Sequence, residues 1–237
     1  MSTYIYAITP AGHPTALDGL AGVGDPPGEL RVLRTEALGA VVSEAPEDLR
    51  AKRRDLVAHQ SVLERLMRDG AVLPMRFGIV GPSDRHVLDS LEEHRDAYVE
   101  RLKEVDGCLE FNLKVSRDEN DLLREVVSES EEIRRLNAVT RQNPAAHAEK
   151  VALGELVSRE VRVREESAAA EVVKQLAPTA RRHSLAEPTT KHFLNVSFLV
   201  GRAEAASFSQ AVDEEAQRRG EAYTLSLNGP LPPYSFV

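Results

Sequence analysis

The chain has 237 residues, enough for two domains of ordinary size, and its 42% hydrophobic and 29% charged residues are those of a folded globular protein, not a disordered one. Its net charge is −8 with acidic and basic residues interleaved throughout, so there is no basic stripe to displace counterions from a nucleic acid. The single cysteine, Cys108, excludes an intramolecular disulfide and a cysteine-cluster metal site, and it suits a reducing compartment.

The start, Met1-Ser2-Thr3-Tyr4-Ile5-Tyr6, has neither the basic flank nor the apolar run of a secretory signal and reads directly into a strand over residues 3–9, which points to the cytoplasm. Residues 10–28 carry four prolines and five glycines without periodicity and are expected to form a mobile surface loop. Two β-type runs, 30–35 and 38–43, are close enough to make a hairpin. Pro46, Glu47 and Asp48 open a predicted helix that carries Leu56, Leu63, Leu66 and Met67 on one face and ends at Gly70. Residues 71–80 then alternate as one strand, with Leu73, Met75, Phe77 and Ile79 on the core face. A helix capped by Ser83 or Asp84, with the stripe Leu88, Leu91, Tyr98, Leu102 and Val105, closes this half near Gly107.

The second half opens with a strand at 108–116 and helical sequence from Asp118 toward Leu136, with Asn143-Pro144 as a breaker. A long helix is expected over 145–177, with Pro178 stopping it. A weak strand at 182–186, a strong one at 192–200, a helix at 203–219 and a strand at 222–227 complete the order. No run of about 20 apolar residues exists to span a membrane; the longest apolar stretch, 193–200, is interrupted by Asn195 and Ser197. The pattern predicts an α+β protein of two domains, 1–106 and 107–237, the second a ferredoxin-like split βαβ variant with an elongated helical region and an extended proline-rich tail.

Residue types that carry chemistry do not converge in the sequence. The cluster Gly19-Leu20-Ala21-Gly22-Val23-Gly24 runs into Pro26-Pro27 where a phosphate-binding loop would run into a helix. His86 and His94 lie two turns apart on one helix, and His183 and His192 flank a turn, so neither pair completes a metal site. No serine sits in a glycine-flanked elbow, and Asp106 and Glu110 beside Cys108 oppose thiolate formation. The paired charges, such as Glu64-Arg65 and Arg159-Glu160, read as solvated helix faces. No catalytic residue, cofactor or metal is expected; an enzyme or small-molecule binder using a cleft between the domains is the alternative.

Two segments stand out. In Val72-Leu73-Pro74-Met75-Arg76-Phe77-Gly78, Pro74 lacks a donor and belongs at a sheet edge or bulge, which aims Arg76 off the core face. Its guanidinium is open to two readings, a fork for a partner's carboxylate or an internal ion pair. The closing run Gly229-Pro230-Leu231-Pro232-Pro233-Tyr234-Ser235-Phe236 is donor-poor and predicted to be extended and polyproline-like, with Tyr234 and Phe236 projecting to one side. These aromatics grip either a partner or their own chain.

Those two segments, the start Tyr4-Ile5-Tyr6-Ala7-Ile8, the turn Leu153-Gly154 and the strand Leu194-Asn195-Val196-Ser197-Phe198-Leu199-Val200 occur in the order in which the gas vesicle F/L family carries them, and the sequence resembles that family over essentially its whole length. Leu231 departs from the bulkier aromatic that many members show there. The resemblance implies a non-catalytic accessory or minor structural protein of gas vesicles, located in the cytoplasm and at the vesicle. The implied partners are the major hydrophobic shell protein and other accessory proteins. Arg76, Phe77, Tyr234 and Phe236 are the candidate partner-binding residues.

Overall fold

Tyr4, Tyr6, Ala7 and Ile8 are all buried, which forces β1 (Thr3–Pro10) into the middle of a sheet with packing on both faces. It pairs antiparallel with β3 (Leu38–Glu44), from Thr3 opposite Glu44 to Pro10 opposite Leu38, with an irregularity between Ile5 and Ala7. Strand β2 (Arg31–Arg34) adds to the far side of β3. The structure, a computed structural model, describes residues 2–143 and 145–237. The chain divides into two compact units: Met1–Glu110 with Leu199–Arg202 and Gly229–Val237, and Phe111–Phe198 with Ala203–Asn228. A single cut at 107 therefore does not describe the division, and the tail expected in the second domain lies in the first unit.

In the first unit, α1 (Arg53–Asp69) covers one face of the sheet, packing Val62, Leu63 and Leu66 on Tyr4, Tyr6, Ala7 and Val41. Full burial of a leucine is worth roughly 1.5–3 kcal/mol, so this stripe holds the helix. The helix begins later than Pro46, and its buried face is Asp55, His59, Val62, Leu63 and Leu66; Leu56, expected inside, is 42% exposed. The other face takes α2 (Asp84–Glu93) and α3 (Arg95–Val105), which bring Val87, Leu91, Leu102 and Val105 onto Ile8, Leu38, Ala40 and Val42. The single helix expected here breaks at His94, whose backbone leaves the helical region. Ser83 caps α2 by accepting from the His86 amide. Asp84 accepts from Thr3 Oγ1 at 2.6 Å and from Arg31, tying α2 to β1 and β2.

Two expectations fail in this unit for stated reasons. The predicted strand 71–80 is two short pieces, β4 (Leu73–Pro74) and β5 (Val80–Gly81), both paired with β1. Between them the chain turns, with Gly78 at φ +94° and the Ile79 amide donating to the Arg76 carbonyl. Val72 is consequently buried, whereas Ile79 is 43% exposed. The loop expected to be mobile is packed: Val23 is fully buried, its amide donates to the Tyr6 hydroxyl at 2.8 Å, and the Gly24 amide donates to buried Asp55.

The second unit is built from β6 (Cys108–Arg117), α4 (Glu119–Glu129), α5 (Glu131–Gln142), α6 (His147–Leu176), β7 (Arg182–Ala186), β8 (Leu194–Gly201), α7 (Ala205–Arg219) and β9 (Tyr223–Leu231), less the strand-end residues 108–110, 199–201 and 229–231, which fall in the first unit. Its sheet has the order β7-β8-β6-β9. Phe208 of α7 packs between Phe111 and Phe198 of the sheet at ring distances of 5.3 and 5.2 Å. The helical sequence after Asp118 is split at Ser130, whose extended backbone ends α4 and whose hydroxyl caps α5 by accepting from the Ile133 amide. Leu122, Val126, Ile133, Leu136 and Leu156 then form a separate three-helix core. Pro144, expected to break the helical run, lies outside the described residues. Helices mixed with an antiparallel sheet make this an α+β protein.

Candidate interaction surface

The tail is the first element to place. Strand β9 runs through Pro230 to Leu231, and Tyr234–Phe236 form one 3-10 turn, so the end is not the polyproline-like extension expected from three prolines. Once three backbone donors are missing, a short turn satisfies what remains: the Tyr234 amide reaches the Pro232 carbonyl and the Phe236 amide the Pro233 carbonyl. Turned this way, the two aromatics part company. Phe236 is 4% exposed and sits among Leu38, Leu102, Val105 and Leu199, so it offers no surface to a partner. Tyr234 is half-buried against the cluster of Tyr4, Tyr6, Val62 and Leu63.

Glu110 fixes the turn. It is 3% exposed, its Oε2 accepts from the Ser235 amide at 2.8 Å, and its Oε1 accepts from the Ser235 hydroxyl at 2.7 Å. A carboxylate taken out of water needs such donors. Arg101 adds a longer bond to the Phe236 carbonyl at 3.5 Å. Burial, with the Glu110 charge nearby, pushes the Tyr234 phenol up to about 12, so it is neutral across the physiological range.

Under Tyr234 lies a polar strand-to-helix network that no motif announces. His59 Nε2 faces the Met75 carbonyl at 3.0 Å, and since a carbonyl only accepts, Nε2 carries the proton. Nδ1 therefore accepts the Tyr4 hydroxyl at 2.9 Å, and the Tyr4 oxygen in turn receives the Gly78 amide at 3.3 Å. The Tyr6 ring stacks on His59 at 5.5 Å, and Phe77 meets both Tyr4 and His59 edge-on. Burial lowers the His59 pKa, opposed by its bond to Met75, and burial raises those of Tyr4 and Tyr6, so all three are held neutral. The network holds the protons of His59 Nε2 and the Tyr4 hydroxyl in internal hydrogen bonds. Its physical effect is to fix the 75–78 turn against α1.

That turn and the tail meet over α1. Phe77 and Tyr234 line one wall of an open groove of about 470 Å³ whose other wall is Arg53, Leu56, Val57, His59, Gln60, Ser61 and Glu64. Leu56 and Val57 are 42% and 57% exposed there, neighbours that a folded chain normally keeps covered. Arg76 is exposed at the same turn. Of the four residues singled out in the sequence, Phe77 and Tyr234 are brought together, Arg76 stands beside Phe77 in sequence, and Phe236 is spent on anchoring. Leu56, Val57 and Glu110 were missed. Periodicity hid Leu56, because its spacing puts it on the same helix face as Leu63. Among the described residues no three His, Cys, Asp or Glu side chains come together as a metal site, and no helix is long and apolar enough to cross a membrane.

Known proteins match this chain from end to end. Residues 2–237 match the family described as gas vesicle synthesis protein GvpL/GvpF. The chain is 43% identical to gas vesicle protein F of Streptomyces sp. strain CB03234 over 100% of both sequences, and 28% identical to gas vesicle protein L of the same strain over 99% of this chain and 92% of that one. Its fold matches the crystal structure of GvpF from Anabaena sp. PCC7120 with a TM-score of 0.85 at 23% identity, covering 99% of this chain and 97% of that one. GvpF from Microcystis aeruginosa gives 0.81 at 24%, covering 99% and 98%. With the ordered segments, the fold and the full-length match in agreement, the chain belongs to the gas vesicle GvpL/GvpF family.

Proposed function

We propose that this protein is a non-catalytic accessory or minor structural component of gas vesicles, which binds the small hydrophobic shell protein and other accessory proteins in the cytoplasm to support vesicle assembly. The observation that carries this reading is the apolar groove over α1, where exposed Leu56 and Val57 face Phe77 and the latched Tyr234. A rigid apolar trough with a polar rim suits an apolar helix or strand that would otherwise aggregate. Arg76 at its end is a guanidinium for a carboxylate of the bound segment. In the same reading, Phe236 acts indirectly by holding Tyr234 in the wall.

The second unit is read here as a ferredoxin-like variant, supported by its strand-helix-strand-strand-helix-strand order and by the sheet order β7-β8-β6-β9, with α4 and α5 inserted before α6. The working division remains an N-terminal α+β domain and a C-terminal one, with the tail returned to the first.

Co-expression with the shell protein tests the function. The wild type is expected to co-purify with it, and Leu56→Asp and Val57→Asp to lower recovery about tenfold with unchanged circular dichroism, while Val163→Asp, an exposed valine of the second unit, leaves recovery intact. Absence of any complex with the wild type overturns the function; binding unchanged in both groove variants overturns the surface.

A further inference from the structure

Strand β7 ends the sheet of the second unit, bonded to β8 on one side only. Every residue from Arg181 to Lys191 is exposed except Ser184, and Leu185 is 64% exposed. An open edge carrying a bare leucine is the arrangement that soluble proteins ordinarily avoid with prolines, bulges or charges aimed inward. Here there is also a trough beside it. Ala169, Ala170 and Val173 of α6, with Ala177 just past its end, leave an open apolar cavity of about 660 Å³ whose strand-side wall includes His183 and Leu185. Their short side chains stop before they cover the strand. His183 and Leu185 are two apart on β7, so both stand on this helix-facing side.

The sequence of the edge says what fits it. β7 with its two flanking residues, written Arg181-Arg182-His183-Ser184-Leu185-Ala186-Glu187, is complementary to its own reverse. In an antiparallel pair across a twofold axis perpendicular to the sheet, residues directly opposite must share a face, which restricts the axis to pass beside a single residue facing itself. With Ser184 as that residue, Arg181 falls opposite Glu187 in both directions, Arg182 opposite Ala186, and His183 opposite Leu185. Moving the axis one residue back to His183 sets Arg181 against Leu185 and leaves Glu187 with no cation facing it; moving it forward to Leu185 sets Arg182 against Pro188, which has no amide to donate. The Ser184 register alone matches opposite charges at both ends, while the two leucines land on the helix side, beside both troughs.

We propose that β7 is a self-complementary edge at which a second copy of this chain pairs antiparallel about Ser184, joining the two sheets into one and covering Leu185 and the α6 trough of each copy. The assembly is isologous: each copy contributes the same strand and the same trough, so it closes at two. It does not depend on what the α1 groove of the first unit binds.

Cysteine cross-linking of the full chain reads the register. The one native cysteine, Cys108, is buried, so an introduced thiol on β7 is the exposed one. Opposed residues in an antiparallel pair have Cα atoms about 4.5–5.5 Å apart, inside the range of a disulfide. Mild oxidation is expected to dimerise Ser184→Cys alone, and to dimerise His183→Cys and Leu185→Cys only when the two are mixed. In sedimentation velocity, Arg181→Glu is expected to weaken the wild-type dimer about tenfold and the double exchange Arg181→Glu/Glu187→Arg to restore it, which a loss of folding could not do. A wild type that stays monomeric at every concentration overturns the proposal. So does a dimer that ignores the charge exchange, or a Ser184→Cys chain that couples to the shell protein and never to itself.

Discussion

Glu110 and Ser235 stand 125 residues apart and meet through two hydrogen bonds, the Ser235 amide to one carboxylate oxygen and its hydroxyl to the other. Because Glu110 is 3% exposed, the turn is held by a charged acceptor in a dry setting, where such bonds are worth more than between neutral groups. Glu110→Ala is expected to lower unfolding stability by about 1.5–3 kcal/mol in urea denaturation. Glu110→Gln, which keeps one acceptor oxygen, should cost less. Phe236→Ala removes the buried anchor itself and should cost about 3 kcal/mol or more. If the latch also positions Tyr234, limited proteolysis of these variants will trim the tail while the rest of the chain survives.

Gly22 is fixed by space. A Cβ there would run into the Gly28 carbonyl oxygen and approach the Tyr6 hydroxyl to 2.9 Å. The Gly22 amide already donates to that carbonyl at 3.2 Å, so the two strands of the loop have no room to part. Gly22→Ala is therefore expected to destabilise by about 1–3 kcal/mol, whereas Gly12→Ala, where nothing lies within 4 Å, should be close to neutral. Thermal unfolding of the pair compares the two directly.

His59 and His13 give the fold a pH dependence of known sign. Burial depresses both imidazoles below their ordinary value of 6.5, and each ring has its Nε2 on a carbonyl, Met75 for His59 and Leu66 for His13. The unfolded chain then takes up protons before the folded one does. Stability is full above about pH 6.5 and falls as the pH drops from there toward the lowered folded values. With two such groups the slope approaches about 2.7 kcal/mol per pH unit at its steepest. His59→Gln should remove about half of that slope in urea titrations run between pH 7 and 5, and a slope unchanged in the variant would show that His59 does not carry it.

How much of this could be read from the chain depends on what kind of contact wrote the pattern. Strands β1, β6 and β8 were legible because their apolar runs are buried whatever their neighbours. The 71–81 segment was not: Leu73, Met75, Phe77 and Ile79 alternate like one strand, yet Gly78 at positive φ and the Tyr6 and Ile5 partners of Met75 and Ile79 turn it into two bridges. Leu56 misled in the same way, since periodicity from Leu63 and Leu66 cannot tell a buried stripe from a groove wall. The aromatics of the tail were legible as anchors, but the carboxylate that holds them was not. Glu110 sits in a strand beside Cys108 and reads as an ordinary polar position until the fold brings Ser235 to it.

Glu125 tests how far the second unit rests on charge. Its carboxylate bridges Arg117 and Arg164, the latter at 3.4 Å, while Arg117 also bonds Asp121 at 2.8 Å and lies 5.0 Å above the Tyr223 ring. The Arg117 side chain is only 10% exposed, so its guanidinium depends on these partners. Glu125→Ala should cost about 1–2 kcal/mol, less than the roughly 3–5 kcal/mol of a fully buried broken pair because the carboxylate is 35% exposed and screened. The Arg117 guanidinium holds the Glu125 pKa below its ordinary 4.5, so this contribution is present above that value and disappears as the pH falls through the lowered one, well below the histidine range. Replacing both groups, Arg117→Met with Glu125→Leu, leaves no stranded charge and should be less costly than Glu125→Ala alone. A double variant less stable than the single one would mean that the Arg117 contacts to Asp121 and Tyr223, and not its pairing with Glu125, hold β6 to α4 and β9.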